Sequence, residues 1–227
     1  MTTLLIATRN THKVGEIRTI LGDRFQFLTL NEFPGAPVVV EDADTFEGNA
    51  RRKAEELARW LARENTTFNS QTPKPDFVLA DDSGLEVDAL NGAPGVHSAR
   101  FAAMDRSENA PDADNNAKLL RLLKAVPLEK RTARFRCVLA LVPLPHDRVE
   151  NSSPVCYAEE SGSHIFGGAC DGRIQFSASG RGGFGYDPLF VPDGFEKSFA
   201  EMGEAVKNQL SHRAQALEKL KRFFKAK

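Results

Sequence analysis

The chain has 227 residues, 41% of them hydrophobic and 27% charged, with a net charge of −1, the composition of a globular protein built as one large domain or two small lobes. That balance supplies no global field to gather nucleic acid or an anionic membrane, and no run approaches the ~20 apolar residues of a membrane span. The widely spaced Cys137, Cys156 and Cys170, with no C-x-x-C pair, read as reduced thiols of a cytoplasmic protein, and the N-terminus lacks the basic region of a signal peptide.

Leu4 to Ala7 predicts a first strand, which breaks into the polar loop Thr8-Arg9-Asn10-Thr11-His12-Lys13. A helix follows, with Val14, Ile17 and Leu21 on one face. A strand that leads through a polar loop into a helix N-terminus presents backbone N–H groups outward, a common way to build an anion site. Lys13 stands at the helix start, the pole that disfavours a cation. A phosphate between them resolves the conflict; a plain surface lysine is the other reading. Phe25 to Leu30 predicts a second strand. After the turn Pro34-Gly35-Ala36-Pro37, the apolar, strand-like run Val38-Val39-Val40 ends in Glu41-Asp42-Ala43-Asp44. Thr45 to Asn49 opens a long helix whose stripe, Ala50, Ala54, Leu57, Ala58 and Leu61, has helical spacing. Arg51, Arg52 and Lys53 again lie at the disfavoured pole.

Residues 65–75 are polar and read as an exposed insertion. Phe77 to Ala80 then predicts a short buried strand that ends in Asp81-Asp82-Ser83-Gly84. Neighbouring side chains of an extended chain point to opposite faces, so one aspartate enters a cleft while the other braces the loop. A carboxylate at a strand end beside Ser-Gly suits a Mg²⁺ ligand or a general base, and it equally suits a polar turn. Alternation resumes at Leu85, Val87 and Ala89, and Asn91-Gly92 and Pro94-Gly95 mark turns. Asn115 to Lys124 predicts a third helix with Leu119, Leu120 and Leu123 inside. Ala133 to Val142 predicts a strand through Cys137. Residues 143–154 read as a second insertion and 155–160 as a further strand; His164–Phe166 and Arg173-Ile174 read as short edge segments.

Gly180 to Pro188 matches G-x-G-x-x-G to the letter, yet the strand-like Leu189-Phe190-Val191 follows where a dinucleotide fold needs a helix. The dinucleotide reading is therefore rejected. A terminal helix, capped by Ser211, buries Ala214, Leu217, Leu220 and Phe224. Strands and helices alternate in the first half and strands dominate the middle, which predicts a mixed α/β sheet with two lobes.

Three groups of residues ask for one explanation. The acids Glu41 and Asp82 each follow an apolar run. The cations are Lys13, Lys53, Lys207 and Arg213, three of them near predicted helix starts. The glycine loop carries Phe184, Gly185, Tyr186 and Asp187. Carboxylates with lysines and helix N-termini suit a Mg²⁺–triphosphate complex, since Mg²⁺ needs only one or two carboxylates. An aromatic ring in a glycine-flanked loop can stack on a base, and an adjacent aspartate can accept from ring N–H groups. The P-loop, G-x-S-x-G and H-E-x-x-H patterns are absent, and the five histidines do not fall at zinc spacing.

Leu5 to Asn10 with Lys13, Thr45 to Ala50, Ala80 to Leu85, Gly92 to Val96 with Ser98-Ala99-Arg100, Gly182 to Pro188, and Lys207 with Ser211-His212-Arg213 lie in order along the chain. Together they resemble the signatures of the inosine/xanthosine triphosphate pyrophosphatases, which remove deaminated purine nucleotides. The resemblance spans Leu5 to about Leu217, in effect one domain over residues 1–227. It implies an elongated mixed central sheet flanked by helices, two lobes with the active cleft between them, a homodimer, and Mg²⁺-dependent cleavage of a purine nucleoside triphosphate to monophosphate and pyrophosphate. Carried over, Thr8, Arg9, Asn10, Thr11, His12 and Lys13 hold the phosphates, with Lys53 near them. Glu41 and Asp82 serve the metal, Asp82 is also the base, and Ser83 contacts the substrate. Phe184, Gly185, Tyr186, Asp187, Lys207, His212 and Arg213 enclose the nucleotide. Arg9 departs from the family, which most often has Gly there, and Asp44 is a possible substitute for Glu41. A nucleotide-binding module without turnover and a pyrophosphatase of modified pyrimidine nucleotides stand as alternatives. The acid pair speaks against the first, and the Ser-His-Arg and Phe-Gly-Tyr-Asp elements against the second.

Overall fold

Leu4, Leu5 and Ile6 are fully buried, so their strand is covered on both faces, as parallel strands of α/β sheets are. This strand, β1 (Thr2–Ile6), pairs in parallel with β2 (Phe25–Thr29) on one side and with β3 (Phe77–Val87) on the other. The structure, a computed structural model, describes residues 1–63, 72–103, 109–144 and 162–226. Among these, β4 (Thr132–Pro143), β5 (His164–Ile174) and β6 (Phe190–Pro192) complete one open sheet in the order β2-β1-β3-β4-β5-β6. β5 and β6 are antiparallel, so the sheet is mixed as expected. No helix among the described residues is long and apolar enough to cross a membrane.

The chain divides into two compact units. The first comprises Met1–Asp82, Val138–Phe166 and Leu220–Lys227. Here α1 (Thr11–Leu21) starts at Asn10, whose side chain accepts from Lys13 N, and it buries Ile17 and Leu21. The longer α2 (Phe46–Arg63) starts at Thr45, whose Oγ1 accepts from Gly48 N, and it buries the expected alanine–leucine stripe. Trp60 lies half-buried on α2, edge-on to Phe33 with ring centroids 6.4 Å apart. Phe224 packs on Phe25 and Phe77.

The second unit comprises Ser83–Cys137 and Gly167–Lys219. Its core gathers Leu85, Leu119, Phe135, Ile174, Phe190 and Phe199 with their neighbours. Burying each such side chain contributes on the order of 1.5–3 kcal/mol. It holds α3 (Asp112–Leu122), two short helices α4 (Phe199–Met202) and α5 (Glu204–Leu210), and most of α6 (His212–Lys225). Cys137 and Cys170 are buried.

Four expectations are corrected. Val38 to Val40 forms no strand; Val38 and Val40 are 80% and 65% exposed, so the run before Glu41 is a solvent-facing loop. β3 does not end at Ala80 but passes straight through Asp81-Asp82-Ser83-Gly84 to Val87. His164–Phe166 and Arg173-Ile174 are the two ends of one eleven-residue strand, β5, inside the sheet order. The third helix begins at Asp112, three residues before its expected start at Asn115. Residues 65–71 of the first expected insertion, 145–154 of the second, the strand expected over 155–160, and Cys156 lie outside the described residues.

Candidate active site

Asp81 and Asp82 are only 1% and 5% exposed, and on a strand they point to opposite sides. Each meets a lysine from a different helix. Lys13, in the first turn of α1, places Nζ 2.5 Å from Asp81 Oδ1. The cation expected to need a phosphate thus has a carboxylate partner within the chain. Lys53, on α2, donates to Asp82 Oδ1 at 3.2 Å, to Glu41 Oε2 at 3.1 Å and to the Asp81 carbonyl at 2.7 Å. The loop that carries Glu41 is tied to the same point. Buried Asn49 donates from Nδ2 to Asp82 Oδ2 at 3.2 Å and accepts at Oδ1 from Ala43 N at 2.9 Å. Asp44, the possible substitute for Glu41, is exposed.

The environment separates the two acids. Burial pushes the Asp82 carboxyl above its usual range; Lys53 and Lys13 pull it down, Glu41 pushes it up, and burial wins. Burial also acts on Glu41, but Lys53 and Lys13 together leave it below its usual range. Burial disfavours the Lys53 ammonium, yet Asp82, Glu41 and Asp81 raise its pKa above the ordinary lysine value. Asp82 is therefore the more basic carboxylate, suited to accept a proton, while Glu41 stays ionised.

Among the described residues, no three His, Cys, Asp or Glu side chains gather as a metal-holding group. Glu41 and Asp82 nonetheless converge on one cation, Lys53 Nζ. Two carboxylates, with phosphate oxygens and water for the other positions, is the oxygen set that Mg²⁺ takes.

The expected phosphate loop sits in the same unit. Thr8 Oγ1 accepts from Asn10 N, Asn10 caps α1, and Thr11 and His12 are exposed in its first turn. Arg9, the departure from the family, is exposed and reaches from Nη2 to the Ala36 carbonyl at 3.3 Å.

The second unit contains the other expected residues. Arg213 is buried and donates from Nη2 to Ser83 Oγ at 2.8 Å. Ser211 Oγ accepts from Ala214 N, the capping bond the sequence predicts. His212 is buried and stacks on Phe135, with centroids 4.8 Å apart and planes 12° apart. Lys207 is also buried, 2.5 Å from Asp187 Oδ2 and 4.3 Å from the centre of the Phe184 ring. Asp187 Oδ2 accepts as well from Phe184 N at 2.9 Å. Gly183 has a φ of +73°, and a Cβ there would lie 2.2 Å from the same oxygen, so this position needs glycine for both its conformation and its space. Tyr186 is buried and donates its hydroxyl to the Ser98 carbonyl at 2.9 Å. Burial, with the nearby Asp112 charge, pushes that hydroxyl far above its usual range. Within the loop, Tyr186 and Asp187 thus brace the backbone that presents Phe184.

Two supporting residues stand in the motifs that carry the resemblance but were given no role from the sequence. Asn49 stands beside the apolar stripe of α2, and a polar residue buried there is the signal that would have found it. Ser98 accepts from Leu85 N and donates to the Gly95 carbonyl, and its Oγ would lie 2.3 Å from a Cβ at position 84. That close approach explains the glycine after Ser83.

The chain is similar to known proteins over nearly its whole length. A dITP/XTP pyrophosphatase from Geobacter sulfurreducens is 45% identical over 222 residues, covering 97% of this chain and 96% of that protein. A protein of the same name from Shouchella clausii is 41% identical over 221 residues, covering 97% and 96%. The structure of a HAM1 protein from Coxiella burnetii matches at 34% identity with a TM-score of 0.77, covering all of both chains. The model of the Ham1 family matches residues 4–223. That span takes in most of β1 with the polar loop after it, the aspartates of β3, the glycine loop and Ser211-His212-Arg213, and the chain belongs to the Ham1 family.

Proposed function

We propose that this chain hydrolyses deaminated purine nucleoside triphosphates (ITP, dITP and XTP) to the monophosphate and pyrophosphate, and so cleanses the nucleotide pool. The observation that carries the reading is the Lys53 ammonium shared by Asp82 and Glu41, with one acid made more basic and the other less. A binder without turnover has less need of a base. The names of the relatives, dITP/XTP pyrophosphatase, support the substrate class.

Asp82 accepts the proton of the attacking water, whose oxygen forms the new bond to the α-phosphorus as the bridging α–β oxygen departs with pyrophosphate. Lys13 and Lys53 face the negative charge that gathers on that leaving group. Mg²⁺, held by Glu41 and Asp82, would supply Lewis-acid neutralisation of the phosphate oxygens. Arg213 only donates hydrogen bonds and His212 donates from one ring nitrogen, so both suit the 6-oxo group of hypoxanthine or xanthine and oppose the amino group of adenine. The Phe184 ring offers a face for the base. The family resemblance extends the reading to a homodimer, which sedimentation tests directly.

Chromatography of an ITP digest is the decisive experiment. IMP and pyrophosphate are expected as first products, with activity lost in EDTA and restored by Mg²⁺. IDP and orthophosphate as first products would overturn the reading. Faster turnover of modified pyrimidine triphosphates in the same assay would move the substrate class.

A further inference from the structure

We infer that Asp112 and Asn116 of α3 are positioning residues for nucleoside selection, acting through Gly185 on the ring of Phe184. The inference rests on the proposed substrate class. Asp112 Oδ2 accepts from Gly185 N at 2.6 Å, and Asn116 Nδ2 donates to the Gly185 carbonyl at 3.0 Å. The two side chains are four residues apart, so they share one face of α3. They grip the N–H and the C=O of a single residue.

Gly185 has a reason to be gripped. Its φ is +61°, yet a Cβ there would meet nothing within 4 Å. The glycine is therefore needed for its conformation and not for space, and because glycine moves freely among conformations, contacts from outside the loop are what fix its backbone. The peptide that Asp112 holds joins Phe184 to Gly185. On the other side, Tyr186 is fixed at the Ser98 carbonyl and Asp187 at Lys207. Asn116 Oδ1 is buried with no hydrogen-bond partner among the described residues. These contacts leave the Phe184 ring, 4.3 Å from Lys207 Nζ and 5.9 Å from Arg213 Cζ, with little freedom to shift.

A competing account gives Asp112 only the role of a negative charge in the first turn of α3, favourable to the helix dipole. The two accounts make different demands. The dipole needs the charge, whereas Gly185 N–H needs only an acceptor oxygen. Asp112→Asn keeps an acceptor and loses the charge; Asp112→Ala loses both.

The test measures kcat and KM for ITP and ATP with wild type, Asp112→Ala, Asp112→Asn and Asn116→Ala, and follows Gly185 amide exchange in the unliganded proteins. Asp112→Ala is expected to lower kcat/KM for ITP by roughly 10-fold, mainly through KM, with a smaller change for ATP. Gly185 N–H should exchange faster. Asp112→Asn should recover most of the loss, and Asn116→Ala should move in the same direction by less. An unchanged ITP/ATP ratio in Asp112→Ala, or equal damage from Asp112→Asn, would overturn the inference while a purine-selective wild type leaves the proposed function standing. A wild type without purine preference would sink both.

Discussion

The group around Asp82 and the group around Phe184 are both polar and largely buried, but their charge balance differs. In the first unit the carboxylates of Glu41, Asp81 and Asp82 outnumber the ammonium groups of Lys13 and Lys53. In the second, Lys207 and Arg213 stand around Phe184, Asp187 pairs with Lys207, and Asp112 holds the Gly185 N–H. An excess of carboxylate is what a divalent cation and its phosphates take up. An excess of donors is what an oxo-purine takes up. The construction differs as well. The first group is made of side chains reaching from α1 and α2 to a strand. The second depends on a backbone path that glycines alone can follow. The lesson is that charged side chains can be gathered from several elements, even across the exposed Val38–Val40 loop, whereas the ring face of Phe184 is presented by one braced backbone path.

That contrast can be broken most sharply at Asp82. Asp82→Asn keeps size and loses basicity, and kcat should fall on the order of 10²–10⁴-fold with circular dichroism unchanged. Near-normal turnover would move the base to Asp81 or Glu41. Next is Arg213→Ala, which should cut kcat/KM for ITP on the order of 10²-fold more than for ATP, because a donor built to meet the 6-oxo group is lost. Equal loss on both nucleotides would show Arg213 holding phosphate and erase the division of labour between the groups. Lys53→Met leaves buried carboxylates without their shared cation, and urea unfolding should show a loss of about 3–5 kcal/mol. Gly183→Ala strains the backbone and crowds Asp187, at a cost of roughly 1–3 kcal/mol, and should damage purine selection before it damages turnover. The mildest effect concerns pH. The Glu41 carboxyl is held below its ordinary 4.5, so its contribution to stability is present above that value and is lost as pH falls through the lower folded value. Urea midpoints of wild type and Glu41→Gln should therefore converge in acid; parallel curves would remove Glu41 from the lysine group.

Much of this was legible in the residues. β1, α1, α2 and β4 announced themselves by apolar runs or helical spacing, since local periodicity reports burial directly. The Asp-Asp-Ser-Gly segment read as a strand end because four polar or small residues do not look buried. It is a strand because Lys13 and Lys53, far away in sequence, neutralise its carboxylates. β5 was split because Gly167, Gly168 and Gly172 broke its pattern. A Cβ at position 168 would lie 2.1 Å from the His212 carbonyl, and one at 172 would lie 2.3 Å from that of Val191, so these glycines mark close backbone contacts inside a strand. Val38 to Val40 misled in the opposite way, since apolar residues need not be inside. The helix α4 was missed although Ser198 and Glu201 form a capping box that the spacing S-x-x-E displays. The candidate site residues were picked out by motif, and Lys13, expected to face a phosphate, has Asp81 as an ion-pair partner that the local pattern did not announce.

Trp60, the chain's only tryptophan, gives this architecture an optical consequence. It sits on α2 about two helical turns beyond Lys53, within the unit that holds Asp82. Excitation at the red edge of protein absorbance, where tyrosine is silent, therefore reads that unit and not the one that holds Phe184. A melt recorded by this emission and again by whole-chain circular dichroism compares one unit with the entire chain, with no label added.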